Sequence, residues 1–158
     1  LPARGAARYD RRVPIPLAVQ HRIEVAVSRH PEVCAAWVFG SVARGAAGAE
    51  SDLDLAVLLA RGVDLEGARA GLATLSLELE ACSPSGRVDL LVLGAQGPVL
   101  VHRVLTEGVL VRDADPERRI DFEGDATVAY LDWKPTHDIA MRTALEGLQR
   151  RFARMGGE

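Results

Sequence analysis

Apolar positions along the chain fall into two kinds of pattern. Residues 33–39 form a nearly unbroken apolar run that stops at Gly40-Ser41, which predicts a buried strand with Trp37 in the core. Leu53, Leu55, Val57 and Leu59 share one face of a second predicted strand, which puts Asp52 and Asp54 together on the other. Between the two strands, residues 40–45 suit a turn and short helix, and residues 46–51 a flexible loop. Helical stripes flank these strands. Val19, Ile23 and Val27 follow Pro16 and end near His30-Pro31. Leu65, Ala68, Leu72, Leu75 and Leu79 predict a helix over 64–81. Residues 88–93 read as a third strand, with Asp89 pointing opposite to Val88, Leu90 and Val92. Residues 98–107 read as a helix closed by Gly108, with Leu100, Val101, Val104 and Leu105 inward and His102 on the surface; 109–111 read as a short strand.

After Asp113 the texture becomes helical. Asp115-Pro116-Glu117 suits a helix start, and Phe122, Ala126, Ala129 and Trp133 make a stripe. Lys134-Pro135 is expected to interrupt it. Met141, Leu145, Leu148, Phe152 and Met155 then repeat at alternating spacings of four and three. Such a seam suits packing on its own domain, on a second copy or on another protein. The expected organisation is a mobile, Arg-rich lead-in over 1–14, one main domain over 15–112 and a helical extension over 113–158 that suits partner docking.

Composition narrows the partners. The 158 residues allow one domain with a real core plus an appendage. The formal charge is −3 and Lys134 is the only lysine. A grip on long nucleic acid usually needs a basic balance or stripe, so a polymerase is disfavoured. No run of about 20 apolar residues and no apolar leader is evident. The chain is therefore expected to be cytoplasmic, with Cys34 and Cys82 as reduced thiols.

The candidate chemistry lies between Phe39 and Leu59. Asp52 and Asp54 would stand about 7 Å apart on one strand face. Two ionised carboxylates on a partly buried surface repel each other, and a divalent cation with oxygen ligands relieves that repulsion. A bare Asp-x-Asp also suits a solvent-facing strand side. Gly40-Ser41 opens a helical turn whose free N–H groups suit phosphate oxygens; it equally suits a glycine turn with a serine cap. P-loop, dinucleotide-binding and paired Cys/His zinc spacings are absent. An EF-hand would need glycine where Val57 sits.

Gly40-Ser41, ten residues and then Asp52-Leu53-Asp54 together resemble the signature of the polymerase-beta-like nucleotidyltransferase superfamily. Within it the chain looks most like the minimal nucleotidyltransferases, the MNT-type antitoxins paired with HEPN-domain toxins. The likeness runs from about Val33 to Leu110 and rests on Gly-Ser-Val-Ala-Arg-Gly (40–45), Ser-Asp-Leu-Asp-Leu (51–55), Val-Asp-Leu (88–90) and Arg-Val-Leu-Thr-Glu-Gly-Val-Leu (103–110). Tyr-Leu-Asp-Trp-Lys-Pro (130–135) looks like that family's bent C-terminal helix.

This resemblance implies an α/β (α+β) nucleotidyltransferase fold, a small mixed sheet flanked by helices with a C-terminal helical extension. It implies ATP as substrate and two Mg2+ ions held by Asp52 and Asp54, with Asp89 as third carboxylate and proton acceptor. Gly40 and Ser41 would hold the β- and γ-phosphates. Arg44 would neutralise phosphate charge, or simply face solvent on its helix. The implied partner is a HEPN toxin, an RNase, neutralised by AMP transfer to a tyrosine, in a possible homo- or hetero-oligomer. Two alternatives stay open: transfer to a small molecule such as an aminoglycoside, and a non-catalytic antitoxin that inhibits by binding alone.

Overall fold

The first strand, β1 (Val33–Phe39), is buried over its first six residues because helices cover both of its faces. The chain, seen in a computed structural model, is described from residue 15 to residue 155, with side chains as far as Pro135. Helix α1 (Leu17–Ser28) precedes β1, and the short α2 (Gly40–Ala43) follows it. Then come β2 (Leu53–Leu59), α3 (Leu65–Leu79), β3 (Val88–Val92), α4 (Pro98–Glu107), β4 (Val109–Asp113) and α5 (Pro116–Met155).

The four strands form one mixed sheet in the order β3-β2-β1-β4. β1 runs antiparallel to β2 and β4, and β2 runs parallel to β3. Alternation sorts the side chains into two layers. Leu53, Leu55 and Val57 join Ile23 and Val27 of α1 and Leu72, Leu75 and Leu79 of α3 in one core. Trp37, Ala56 and Leu58 join Val101 and Val104 of α4 and Ala126 of α5 in the other. A register irregularity between Val33 and Ala35 lets Cys34 and Ala35 both enter that second layer. Trp37 is fully buried there, as its place in the apolar run predicts.

The local stop and start signals act as their chemistry requires. Asp64 caps α3 by accepting from Gly67 N at 2.8 Å. Pro98 opens α4, and Gly108 ends it. Asp115 accepts from Arg118 N at 2.9 Å where α5 begins. Some details differ from the periodic reading. Leu65 is 52% exposed, because as the first residue of α3 it lies at the end of the helix, away from the sheet's centre. On α5 the inward stripe passes through Tyr130 rather than Ala129, the position a 3.6-residue repeat brings round after Phe122 and Ala126. The Tyr130 ring stacks on His102 of α4 at 3.8 Å, so His102 fastens the two helices together.

The expected interruption at Lys134-Pro135 does not occur: α5 runs through Pro135 as one helix. Proline removes one N–H and crowds the carbonyl four residues back. That carbonyl belongs to Leu131, which is 58% exposed, so water can satisfy it. The lead-in over 1–14 and the side chains of the 141–155 seam lie outside the described residues. Among the described residues no helix is long and apolar enough to cross a membrane.

Candidate active site

Asp54 sits near the head of β2, opposite Phe39 of β1 and opposite Asp89 of β3. Its neighbours Leu53 and Leu55 point into the α1–α3 core, so Asp54 points to the other face. Val88 and Leu90 make the same division on β3, which places Asp89 on the face of Asp54. Paired residues on adjacent strands lie about 4.8 Å apart along the hydrogen-bonding direction. The parallel β2–β3 register thus converts two distant sequence positions into side-by-side carboxylates. Asp52, two residues before Asp54, completes the group on that face.

Gly40 has a φ of +69°, in the left-handed region. A Cβ at this position would overlap Asp54 Oδ2 and lie 2.7 Å from its Cγ. Glycine is therefore what lets the strand end turn into α2 directly beneath the Asp54 carboxyl. Phe39, Gly40, Ser41, Arg44 and Asp54 line one wall of a cleft of about 280 Å³. Leu100, Arg103 and Glu107 of α4 line the other. The first amides of a helix have no intrahelical partner, and Gly40 and Ser41, the first two residues of α2, line this cleft.

The electrostatics differ among the carboxylates. Burial pushes the Asp54 carboxyl up from its ordinary range, Asp89 and Asp52 push it further, and Arg44 opposes them. Asp52 is held below the usual range because Ser85 Oγ and Arg87 Nε each donate to its Oδ1 at 2.8 Å. An arrangement of oxygen donors that repel one another fits a hard divalent cation such as Mg2+. Among the described residues no three acidic, histidine or cysteine side chains converge into a ready-made cation cage. Asp52 Oδ1 is taken up by Ser85 and Arg87.

The Asp54 shift has a consequence for stability. A carboxyl whose folded-state pKa is raised favours the protonated form, so the cation-free protein loses stability as pH rises from the unfolded carboxylate value through the raised one. Asp54→Asn removes this repulsion. In EDTA at neutral pH the variant is expected to melt slightly above the native chain, by on the order of 1 kcal/mol or less given partial solvent screening. Below the carboxylate range the two should melt together. Thermal unfolding followed by circular dichroism across pH checks this, and a lower melting temperature for Asp54→Asn at neutral pH would contradict it.

Comparison with known families gives a match of residues 21–117 to the Polymerase beta, Nucleotidyltransferase family model. The chain belongs to this nucleotidyltransferase family. None of the curated proteins compared matches it. Solved structures share the nucleotidyltransferase fold at low identity. One is a chain of a toxin–antitoxin crystal structure with AMP-PNP, at TM-score 0.64 and 21% identity, covering 80% of this chain and 98% of that one. Another is from the MntA-HepT toxin–antitoxin structure, at TM-score 0.61 and 19% identity, covering 82% and 98%. A third comes from a complex of a tri-AMPylated Shewanella oneidensis HEPN toxin with MNT antitoxin, at TM-score 0.57 and 20% identity, covering 80% and 98%.

For this nucleotidyltransferase, the fold brings Gly40, Ser41, Arg44 and Asp54 to one cleft, sets Asp89 beside Asp54, and leaves Asp52 engaged with Arg87. Site reasoning from sequence alone missed Arg103, Glu107, Ser85 and Arg87. Arg103 and Glu107 stand four apart on α4, away from its Val101–Val104 stripe, and Arg103 Nε lies 3.5 Å from Glu107 Oε2. That oppositely charged pair at a spacing of four on α4 was the available signal. Arg87 stands two residues before Asp89, so extending the strand alternation by one residue would have placed it on the carboxylate face.

Proposed function

We propose that the chain is an antitoxin nucleotidyltransferase that binds a HEPN-type RNase toxin and moves AMP from ATP to a toxin tyrosine. The observation that carries this reading is the placement of Asp54 over Gly40-Ser41 in one cleft, with Asp89 as its direct cross-strand partner. Fold similarity to chains from toxin–antitoxin complexes, one holding an AMPylated HEPN toxin, supports the choice of acceptor.

In this reading Asp52, Asp54 and Asp89 would hold the divalent cations. When bound, Mg2+ supplies Lewis-acid stabilisation of the attacking and leaving oxygens. The α2 amides and Ser41 hydroxyl bind the β- and γ-phosphates at the glycine-opened turn. Arg44 and Arg103, on facing walls of the cleft, neutralise phosphate charge. The tyrosine oxygen forms a bond to the α-phosphorus, the bond from that phosphorus to the α–β bridging oxygen breaks, and pyrophosphate leaves. Asp89, exposed at the strand edge, takes the phenolic proton. Helix α5 is the docking arm, with Ile120, Val128 and Leu131 exposed along its described part.

The test is the intact mass of a HEPN protein encoded beside this chain, co-expressed with it. A gain of one or more AMP units supports the proposal. No mass change, with a stable complex still formed, would replace it with inhibition by binding alone.

Arg103 offers a narrower check. Arg103→Ala is expected to weaken ATP binding about tenfold, the scale of one charge-assisted phosphate contact. Titration calorimetry with ATP and Mg2+ reads this directly. Unchanged affinity would remove Arg103 from the phosphate site.

A further inference from the structure

Among the described residues, Asp52 is the carboxylate of the three that stands in a direct ion pair, with Arg87. Its Oδ1 accepts both from Arg87 Nε and from Ser85 Oγ, at 2.8 Å each. Arg87 also donates from Nη2 to the carbonyl of Glu50 at 3.4 Å. The backbone fixes this arrangement. Leu53 N donates to Arg87 O at 3.0 Å, and Ser85 N donates to Ser51 O at 3.2 Å. Ser83 Oγ closes the turn onto Arg87 O at 2.6 Å. Residues 83–87 are thus clipped along the entry to β2, and the guanidinium is delivered to Asp52 by a tied segment.

We infer that Arg87, seated by Ser85, is a built-in counter-ion for Asp52 that an incoming divalent cation must displace. The inference rests on the cation-binding reading of the carboxylates given above. Cation binding is then an exchange at Asp52 rather than an addition to an open site. One oxygen that already accepts two strong donors has little left to offer a cation.

The latch is also built to yield. The Arg87 side chain is 67% exposed and that of Asp52 is 45% exposed, and exposed ion pairs are weak. With a nucleotide and cation bound, Asp52 would turn to the cation and the freed Arg87 would have phosphate charge to pair with. The nucleotide-free chain, by contrast, is guarded against idle cation binding. Arg87 is a positioning residue in this account, because it acts through Asp52.

The experiment is Mn2+ binding to the full chain without nucleotide, read from the electron paramagnetic resonance signal of free Mn2+. Arg87→Gln is expected to bind Mn2+ about fivefold more tightly than the native chain at low salt, the effect of losing one exposed competing pair. Arg87→Lys, which keeps the charge, should stay near native. Ser85→Ala, which loosens the seat without touching the guanidinium, should shift affinity the same way by about twofold, and it serves if Arg87→Gln does not fold. In an Asp52→Asn background the Arg87→Gln gain should vanish. Native-like affinity in both Arg87→Gln and Ser85→Ala would overturn the latch while leaving the carboxylate site intact. A gain that persists in Asp52→Asn would also overturn it, by revealing a general field effect. Absence of Mn2+ binding in every form would overturn the latch, because removing Arg87 would then free no cation site at Asp52.

Discussion

If the proposed function holds, an Asp52→Ala/Asp54→Ala chain is expected to bind the HEPN protein encoded beside it and leave it unmodified. In the proposed mechanism these side chains hold the cations that stabilise charge on both reacting oxygens, worth several kcal/mol of barrier. A loss of about 4 kcal/mol is a thousandfold in rate, so AMP transfer should fall by at least about that factor. The fold should survive. Both aspartates point away from the α1–α3 core, while Leu53, Leu55 and Val57 keep their places in it. Removing Asp54 also removes a repelled carboxylate, and Arg87 loses only an exposed partner. Intact mass of the co-expressed toxin, with co-purification as the control for binding, reads the result. Full modification by the double variant would sink the catalytic role of this site. Loss of the complex as well would mean that the carboxylates serve the partner interface.

Gly40→Ala is the second large effect, and it strikes stability and chemistry together. An L-residue in the left-handed region costs about 1–2 kcal/mol, and the new Cβ also drives the Asp54 carboxyl from its place. The expected destabilisation is about 1–3 kcal/mol, a fall in melting temperature of roughly 3–10 °C for a chain of this size. Transfer should drop at least about a hundredfold even well below the melting temperature, because a displacement of about 1 Å at a reacting centre is enough to do that. Gly48→Ala is the matched control: a Cβ there meets nothing within 4 Å. It should change neither readout. A Gly40→Ala chain that transfers AMP at the native rate would show that Asp54 works equally well displaced.

Much of this architecture is written in local pattern. The period-2 run over 53–59 separates Leu53, Leu55 and Val57 from Asp52 and Asp54 before any neighbour is known, because side-chain direction follows from backbone torsion alone. The same holds for the α3 stripe and its Asp64 cap, and for α4 between Pro98 and Gly108. Local signals failed where long-range surroundings decide. Proline at 135 is a helix breaker by its own geometry, yet α5 continues through it where the crowded carbonyl lies on an exposed turn.

The sequence by itself determined most of the elements and the face on which Asp54 and Asp89 stand. It did so because torsional preference and alternation are properties of a few neighbouring residues. Only the tertiary structure decided that Asp89 stands beside Asp54, since strand register is chosen by how whole faces bury. Only the tertiary structure brought Arg103 of α4 to the wall facing Ser41, and Arg87 to Asp52 across 35 positions of chain. Side chains on the polar face of an element carry no local signal for a partner; the packing of the sheet against α4, and of the 83–87 turn against β2, supplies one.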